Sequence, residues 1–217
     1  MALILHYHPL ASFCWKVLIA LYENGTPFEP RLVDLGDPDS RAAFAALWPI
    51  AKMPVLEDSA RGCVVPETSI IIEYLDLRHP GPMPLIPADR ELALETRMLD
   101  RIFDHYVMSP MQKIVFNRFC PAEARNPYDV MAARQLIDTA YGWLEARLEG
   151  REWAVGNPFT LADCAAAPSL HYADKVQPMA GRFSTLADYL RRLEGRPSFA
   201  RVVEEARPYA HMFPSED

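Results

Sequence analysis

Apolar and polar positions alternate in two different rhythms along this chain, and the rhythm changes near residue 80. Before that point, short apolar runs alternate with stretches of helical spacing. Leu3 to Tyr7 reads as a strand bounded by Pro9, and Ser12 to Glu23 as a helix that stops at Asn24-Gly25. Phe28 to Leu35 reads as a second strand and Pro38 to Leu47 as a short alanine-rich helix. Val55 to Glu57 and Cys63 to Val65 are short strands around a polar turn, and Thr68 to Arg78 is a helix with Ile71, Ile72 and Leu75 on its apolar face. The predicted order is βαβαββα, with a right-handed crossover in each βαβ unit.

Beyond residue 88 the period is helical throughout. Helices are predicted over Arg90 to Phe119, Asn126 to Leu148, Thr160 to Lys175, Thr185 to Leu193 and Ser198 to Ala206. The third of these starts with Thr160 three residues ahead of Asp163, a capping box in which each side chain serves the other's amide. Between the two rhythms, His79 to Pro87 holds four of the chain's 20 prolines, so no helix or central strand runs through it. The expected fold is α/β plus all-α: a small α/β domain over residues 1–78, a stiff linker over 79–87 and an all-helical domain over 88–217.

Composition narrows the function classes. A chain of 217 residues buries one good core or two modest ones. A net charge of -7 argues against nucleic acid as the main partner, because phosphate binding wants a basic surface. The apolar runs at Leu3 to Leu5 and Val17 to Leu21 are interrupted by His6, His8, Pro9 and Lys16, with no charged n-region or cleavage site. Neither a signal peptide nor a membrane span is expected, and the location implied is cytoplasmic. Cys14, Cys63, Cys120 and Cys164 are far apart, which reads as reduced thiols and no metal site. His6 and His8 share a strand face without a third ligand at sensible spacing.

Three local signals carry chemistry or its support. Lys52-Met53-Pro54-Val55-Leu56 puts a proline at the start of the third strand, where a ladder amide is dispensable. Val65-Pro66-Glu67-Thr68-Ser69-Ile70-Ile71-Ile72-Glu73-Tyr74-Leu75 puts an acid and a hydroxyl at a helix N-terminus, which suits an ammonium and a carboxylate respectively. The third signal is the capping box of Thr160 and Asp163. Together these resemble the glutathione transferase superfamily, in its serine/cysteine-type branch, over nearly the whole chain.

The resemblance implies a thioredoxin-like first domain, a cis peptide before Pro54, and a helical second domain that lines a pocket for a second substrate. It implies binding of glutathione as co-substrate, with Lys52 near the glycine carboxylate. Met53 and Pro54 would face the cysteinyl unit, and Glu67 and Thr68 the γ-glutamyl end. The implied activity is attack of the glutathione thiol on a small apolar electrophile, or related glutathione-dependent chemistry, with a detoxification role, in a homodimer. The alternative is a non-catalytic binding or adaptor protein of the same fold.

The thiol-activating residue is the awkward point. In the serine- and cysteine-type members, the activating position falls on Ala11, which has no side-chain donor. Ser12 reads either as the donor or as the N-cap of the first helix, and Tyr7 at the end of the first strand either as a catalytic phenol or as packing. Backbone amides and the helix dipole are the remaining route to a lowered thiol pKa. Cys14 lacks the Cys-Pro-Phe pattern of thiol-transferring members. On the helix Arg90 to Phe119, the stripe Phe103, Tyr106, Val107, Ile114 and Phe116 reads as core, with Tyr106 and Met108 as candidates for the second-substrate pocket. Asp100 and Asp104, with Arg97 and Arg101, read as a solvated or subunit-facing charge band, and Asp100 as a cross-subunit contact to glutathione.

Overall fold

A computed structural model describes residues 3–214. Its first unit is a mixed four-stranded sheet in the order β2-β1-β3-β4. The central strand β1 (Leu3–Tyr7) pairs in parallel with β2 (Glu29–Leu32) and antiparallel with β3 (Val55–Asp58), which continues antiparallel to β4 (Cys63–Pro66). Helices α1 (Ser12–Glu23), α2 (Pro38–Leu47) and α3 (Thr68–Arg78) complete the βαβαββα order read from the periodicity. β2 is shorter than the predicted run from Phe28 to Leu35. It is an exposed edge strand that tolerates Pro30. The chain then turns at Asp34, whose carboxylate accepts from the Gly36 amide at 2.8 Å, to reach the Asp37 cap of α2.

α1 is apolar almost all round because it is covered almost all round. It packs on α3 within its own unit and on α7 (Leu161–Val176) and α9 (Pro197–Ala206) of the helical unit. Trp15, for example, sits among His171, Tyr172 and Phe199. The linker lies tightly on the end of this helix. The Met83 amide donates to Asn24 Oδ1 at 2.9 Å, and a Cβ at Gly81 would come within 2.3 Å of the same side chain, so only glycine fits.

The predicted helix Arg90 to Phe119 is continuous but not uniform. It runs as α4 (Arg90–Ile102), a π-helical turn (Phe103–Met108) and α5 (Ser109–Phe119). Pro110 explains the change of pitch: it has no amide to donate, so the ladder upstream is re-paired, and the Ser109 amide reaches back to the Asp104 carbonyl. α6 (Pro127–Leu148) starts from the Asn126 cap, and α8 (Ser184–Glu194) and α9 start within a residue of the expected positions. The capping box of α7 forms. Its Asp163 carboxylate accepts from the Thr160 amide at 2.8 Å, the Ala154 amide at 2.8 Å and the Tyr189 hydroxyl at 2.6 Å. The periodicity did not indicate the short 3-10 turns at Ala122–Ala124 and Arg207–Met212.

Candidate active site

A cleft of about 540 Å³ opens between the two units. Ser12, Phe13, Lys52 and Met53 line it on the sheet side, and Met111, Gln112, Val115 and Phe116 of α5 line it on the helical side. Tyr172 and the C-terminal Met212, Phe213 and Pro214 close one end.

The sheet side starts with the turn into α1. The Ala11 amide donates to the His8 carbonyl at 3.0 Å, and Ala11 itself is the extended N-cap residue, with φ −74° and ψ 112°. Ser12 is therefore the first helical residue and not the cap. Its hydroxyl is buried but not engaged in capping, and Oγ accepts from Gln112 Nε2 at 3.4 Å. The first amides of a helix have no intrahelical partner, so this end of α1 offers N–H groups and a positive dipole end to the cleft.

Tyr7 is not among the residues lining the cleft. It is half-buried, and burial, reinforced by Glu205 and Tyr209, raises its phenol above the ordinary value. Cys14 is fully enclosed, and burial pushes its thiol up to about 12, so it stays protonated and out of reach. His8 lines the cleft, and burial lowers its pKa against the smaller opposing effect of Asp34, which leaves it neutral at pH 7.

The β3–β4 hairpin builds the rest of the sheet side. The Met53–Pro54 peptide is cis, as the resemblance implies. Val55 pairs with Pro66, which sets Pro54 across from Glu67 at the end of β4. Glu67 has a φ of 69°, a sparsely populated conformation for a residue with a Cβ and one that costs roughly 1–3 kcal/mol. That turn presents the exposed Glu67 carboxylate at the N-terminus of α3, with Thr68 buried as the first helical residue. Lys52 is exposed at the cleft edge.

Two expectations on the long helix need correction. Asp100 and Asp104 are not solvated or turned to a partner surface: they are 1% and 4% exposed. Both pair with Lys16 of α1, itself 1% exposed, with Asp104 Oδ2 2.8 Å from Nζ. Ser69 Oγ accepts from Lys16 at 2.9 Å and donates to Asp100 at 2.8 Å, and the Arg101 guanidinium bonds Ser69, Asp100 and Asp104. Burial, opposed by Lys16 and reinforced by Asp100, holds the Asp104 carboxyl above its usual range. Arg97 does face outward, in a bidentate pair with Glu73 at 2.8 and 2.9 Å.

The second correction concerns the pocket wall. Tyr106 is 50% exposed and Met108 is buried, and neither lines the cleft. The π turn lies at these positions, and the wall begins after it, at Met111. Phe116, counted with the core stripe in the sequence, lines the cleft instead. Gln112, Tyr172 and Phe213 escaped the sequence reading because each is a single residue whose neighbours belong to the core or to an irregular tail. Among the described residues no cluster of three or more His, Cys, Asp or Glu is arranged to hold a metal ion, and no helix is long and apolar enough to cross a membrane.

Residues 5–83 match the family described as Glutathione S-transferase, N-terminal domain, and residues 113–205 match Glutathione S-transferase, C-terminal domain. A probable maleylacetoacetate isomerase of Vibrio cholerae is 30% identical over 224 residues, covering 97% of this chain and 99% of its own. The chain belongs to the glutathione S-transferase superfamily. A protein named FtsZ-localized protein A in Caulobacter vibrioides is 28% identical over 216 residues, covering 94% of this chain and 92% of its own. A glutathione S-transferase of Methylobacterium radiotolerans, solved in complex with glutathione sulfonate, superposes with a TM-score of 0.83 at 31% identity. That match covers 94% of this chain and 95% of the other. The superfamily fold accounts for the thioredoxin-like sheet unit followed by the helical one, so the fold class read from the sequence holds.

Proposed function

We propose that this glutathione S-transferase superfamily member binds glutathione and activates its thiol for attack on a small apolar electrophile. The observation that carries the reading is the Ser12 hydroxyl, free of any capping bond, held at the amide-rich start of α1 in a cleft whose opposite wall is apolar apart from Gln112. In this reading Lys52 takes the glycine carboxylate, and the Met53 backbone meets the cysteinyl unit. Glu67 pairs with the γ-glutamyl ammonium, while Thr68 and the first amides of α3 receive its carboxylate. Glutathione supplies the nucleophilic sulfur. Ser12 and the start of α1 hold its negative charge, and Met111, Val115 and Phe116 keep the electrophile's apolar body out of water. The Methylobacterium relative, solved in complex with glutathione sulfonate at 31% identity, supports the ligand assignment.

The test is calorimetric titration with glutathione, followed by conjugation to a chloronitroaromatic, in which an S–C bond forms and chloride leaves. Glu67→Ala is expected to weaken glutathione binding at least about tenfold, because it removes one partner of a charge-assisted bond worth ~1.5–3 kcal/mol. Circular dichroism should be unchanged. An unaltered affinity would refute the γ-glutamyl site.

Ala11, at the position where the serine- and cysteine-type members carry their activating residue, favours a second reading: a binding or adaptor protein of the same fold. The Caulobacter relative's name is of that kind. Glutathione binding without conjugation would select it.

The working assembly in the proposal is a homodimer in the cytoplasm, with the sheet unit at 1–78, the linker at 79–87 and the helical unit at 88–217. Ile70 and Leu77 of α3 and Leu94 and Met98 of α4 leave exposed apolar surface on two helices joined by the Arg97–Glu73 pair. Sedimentation at micromolar concentration is expected to give twice the 24.6 kDa chain mass. A species at the chain mass itself rules the dimer out.

A further inference from the structure

Ser12 and Gln112 stand on opposite walls of the cleft, on α1 and α5, and their side chains meet. The helical wall around Gln112 is otherwise apolar: Met111, Val115 and Phe116 are its neighbours on α5. At the end of that wall the Tyr172 hydroxyl is committed to the Leu10 carbonyl at 3.0 Å. Gln112 therefore brings the wall's remaining polar side chain, and it brings it to Ser12.

A serine hydroxyl has one proton to donate and two lone pairs that accept. Where that proton points decides whether Ser12 stabilises an anion in the cleft. Gln112 Nε2 donates to Ser12 Oγ at 3.4 Å, the long end of hydrogen-bond range. That contact occupies a lone pair on the helical side. The Ser12 hydroxyl makes no cap bond, since Ala11 holds the cap position. With its oxygen held from across the cleft, the hydroxyl is left to give its proton to whatever lies in the cleft. An oxygen that accepts one hydrogen bond also becomes a better donor in the next, most of all in a weakly polar setting.

We propose that Gln112 is a positioning residue: its side-chain amide holds Ser12 Oγ from the helical unit and so aims the Ser12 proton at an anionic sulfur. This rests on the reading that Ser12 serves the glutathione thiolate. It goes further, because it makes thiol activation depend on a residue of the other unit. Ser12 compensates for Ala11 only while α5 holds its place against α1. The arrangement works through geometry, so Gln112 need not touch either substrate.

The experiment uses the full chain with saturating glutathione and follows thiolate absorbance against pH. Gln112→Met keeps the side-chain length and removes the donor. It is expected to raise the pKa of bound glutathione by about 0.5–1 unit and to lower kcat about three- to tenfold, the size of one hydrogen bond. The glutathione Kd should stay within about twofold of the parent, since one neutral hydrogen bond away from the ligand is lost. Gln112→Glu replaces the donor with an acceptor that captures the Ser12 proton, so its effect should be larger. Both variants are then repeated in the Ser12→Ala background. There Gln112→Met should do nothing, and Gln112→Glu should keep only the part due to its added charge. An unshifted pKa in Gln112→Met overturns the proposal, and so does an equal shift with and without Ser12. Failure of the parent to bind glutathione is a separate outcome, visible by calorimetry, and overturns the underlying reading as well.

Discussion

Ser12→Ala is expected to lower turnover by about two to three orders of magnitude and to raise the pKa of bound glutathione, while leaving the fold nearly untouched. A donor aimed at developing negative charge in a sheltered site is worth ~2.7–4 kcal/mol in the reaction barrier. The stability side of this prediction follows from the observed start of α1. Were Ser12 the N-cap, alanine would cost ~1 kcal/mol of helix stability as well. Because Ala11 occupies the cap and Ser12 lies inside the helix, that cost does not arise. Tyr7→Phe is the control. Its phenol is outside the cleft, and burial with Glu205 and Tyr209 makes it harder to ionise, so removing it should leave the thiolate titration where it was. If the loss follows Tyr7→Phe and not Ser12→Ala, the assignment of Ser12 is wrong. If neither variant moves the titration, the amides at the start of α1 act alone.

The second large effect concerns stability. Lys16→Met should destabilise the protein by about 3–5 kcal/mol, because it strands Asp100 and Asp104 inside the protein with Arg101 as their remaining cation. For a chain of this size that corresponds to a fall in melting temperature of about 6–20 °C. The pH dependence has a definite sign. Burial already holds the Asp104 pKa above its unfolded value, so the folded state keeps this proton to a higher pH than the unfolded chain does. Such a group weakens folding as pH rises above the unfolded value of about 4. Removing Lys16 takes away the partner that opposes this upward shift, so the variant's deficit should be greater at pH 8 than at pH 5. Thermal melts of both proteins at the two pH values measure it. A deficit independent of pH would mean that lost packing, and not stranded charge, dominates.

Local chemistry was readable from the chain, and three-dimensional register was not. The alternation of β and α patterns, the proline at position 54, the acid and hydroxyl at Glu67 and Thr68, and the box at Thr160 and Asp163 each depend on neighbours within a few residues. Their short-range causes survive folding. Tyr106 and Met108 lie outside the cleft for the opposite reason. The period implies a uniform helix through residues 103–108, and the π turn ahead of Pro110 changes which residues reach the cleft. For Asp100 and Asp104 the local pattern points to a solvated or subunit-facing band, because charge on an amphipathic helix usually faces outward. Their partner, Lys16, lies 84 and 88 positions away on a mostly apolar helix, beyond any local window. Ser12 shows how small the margin is: a helix start displaced by one residue separates a capping hydroxyl from an available one.

α1 belongs to both halves of the molecule: its Trp15 rests among rings of α7 and α9, its Lys16 answers carboxylates of the long helix, and its last residue, Glu23, holds Arg196. The two halves are therefore poor interchangeable modules. A chimera that joins this sheet unit to a relative's helical unit inherits a helix cut to fit a different neighbour, with a lysine whose carboxylates have been left behind. Over evolutionary time the same constraint means that a substitution on one side of the cleft limits which substitutions the other side can accept.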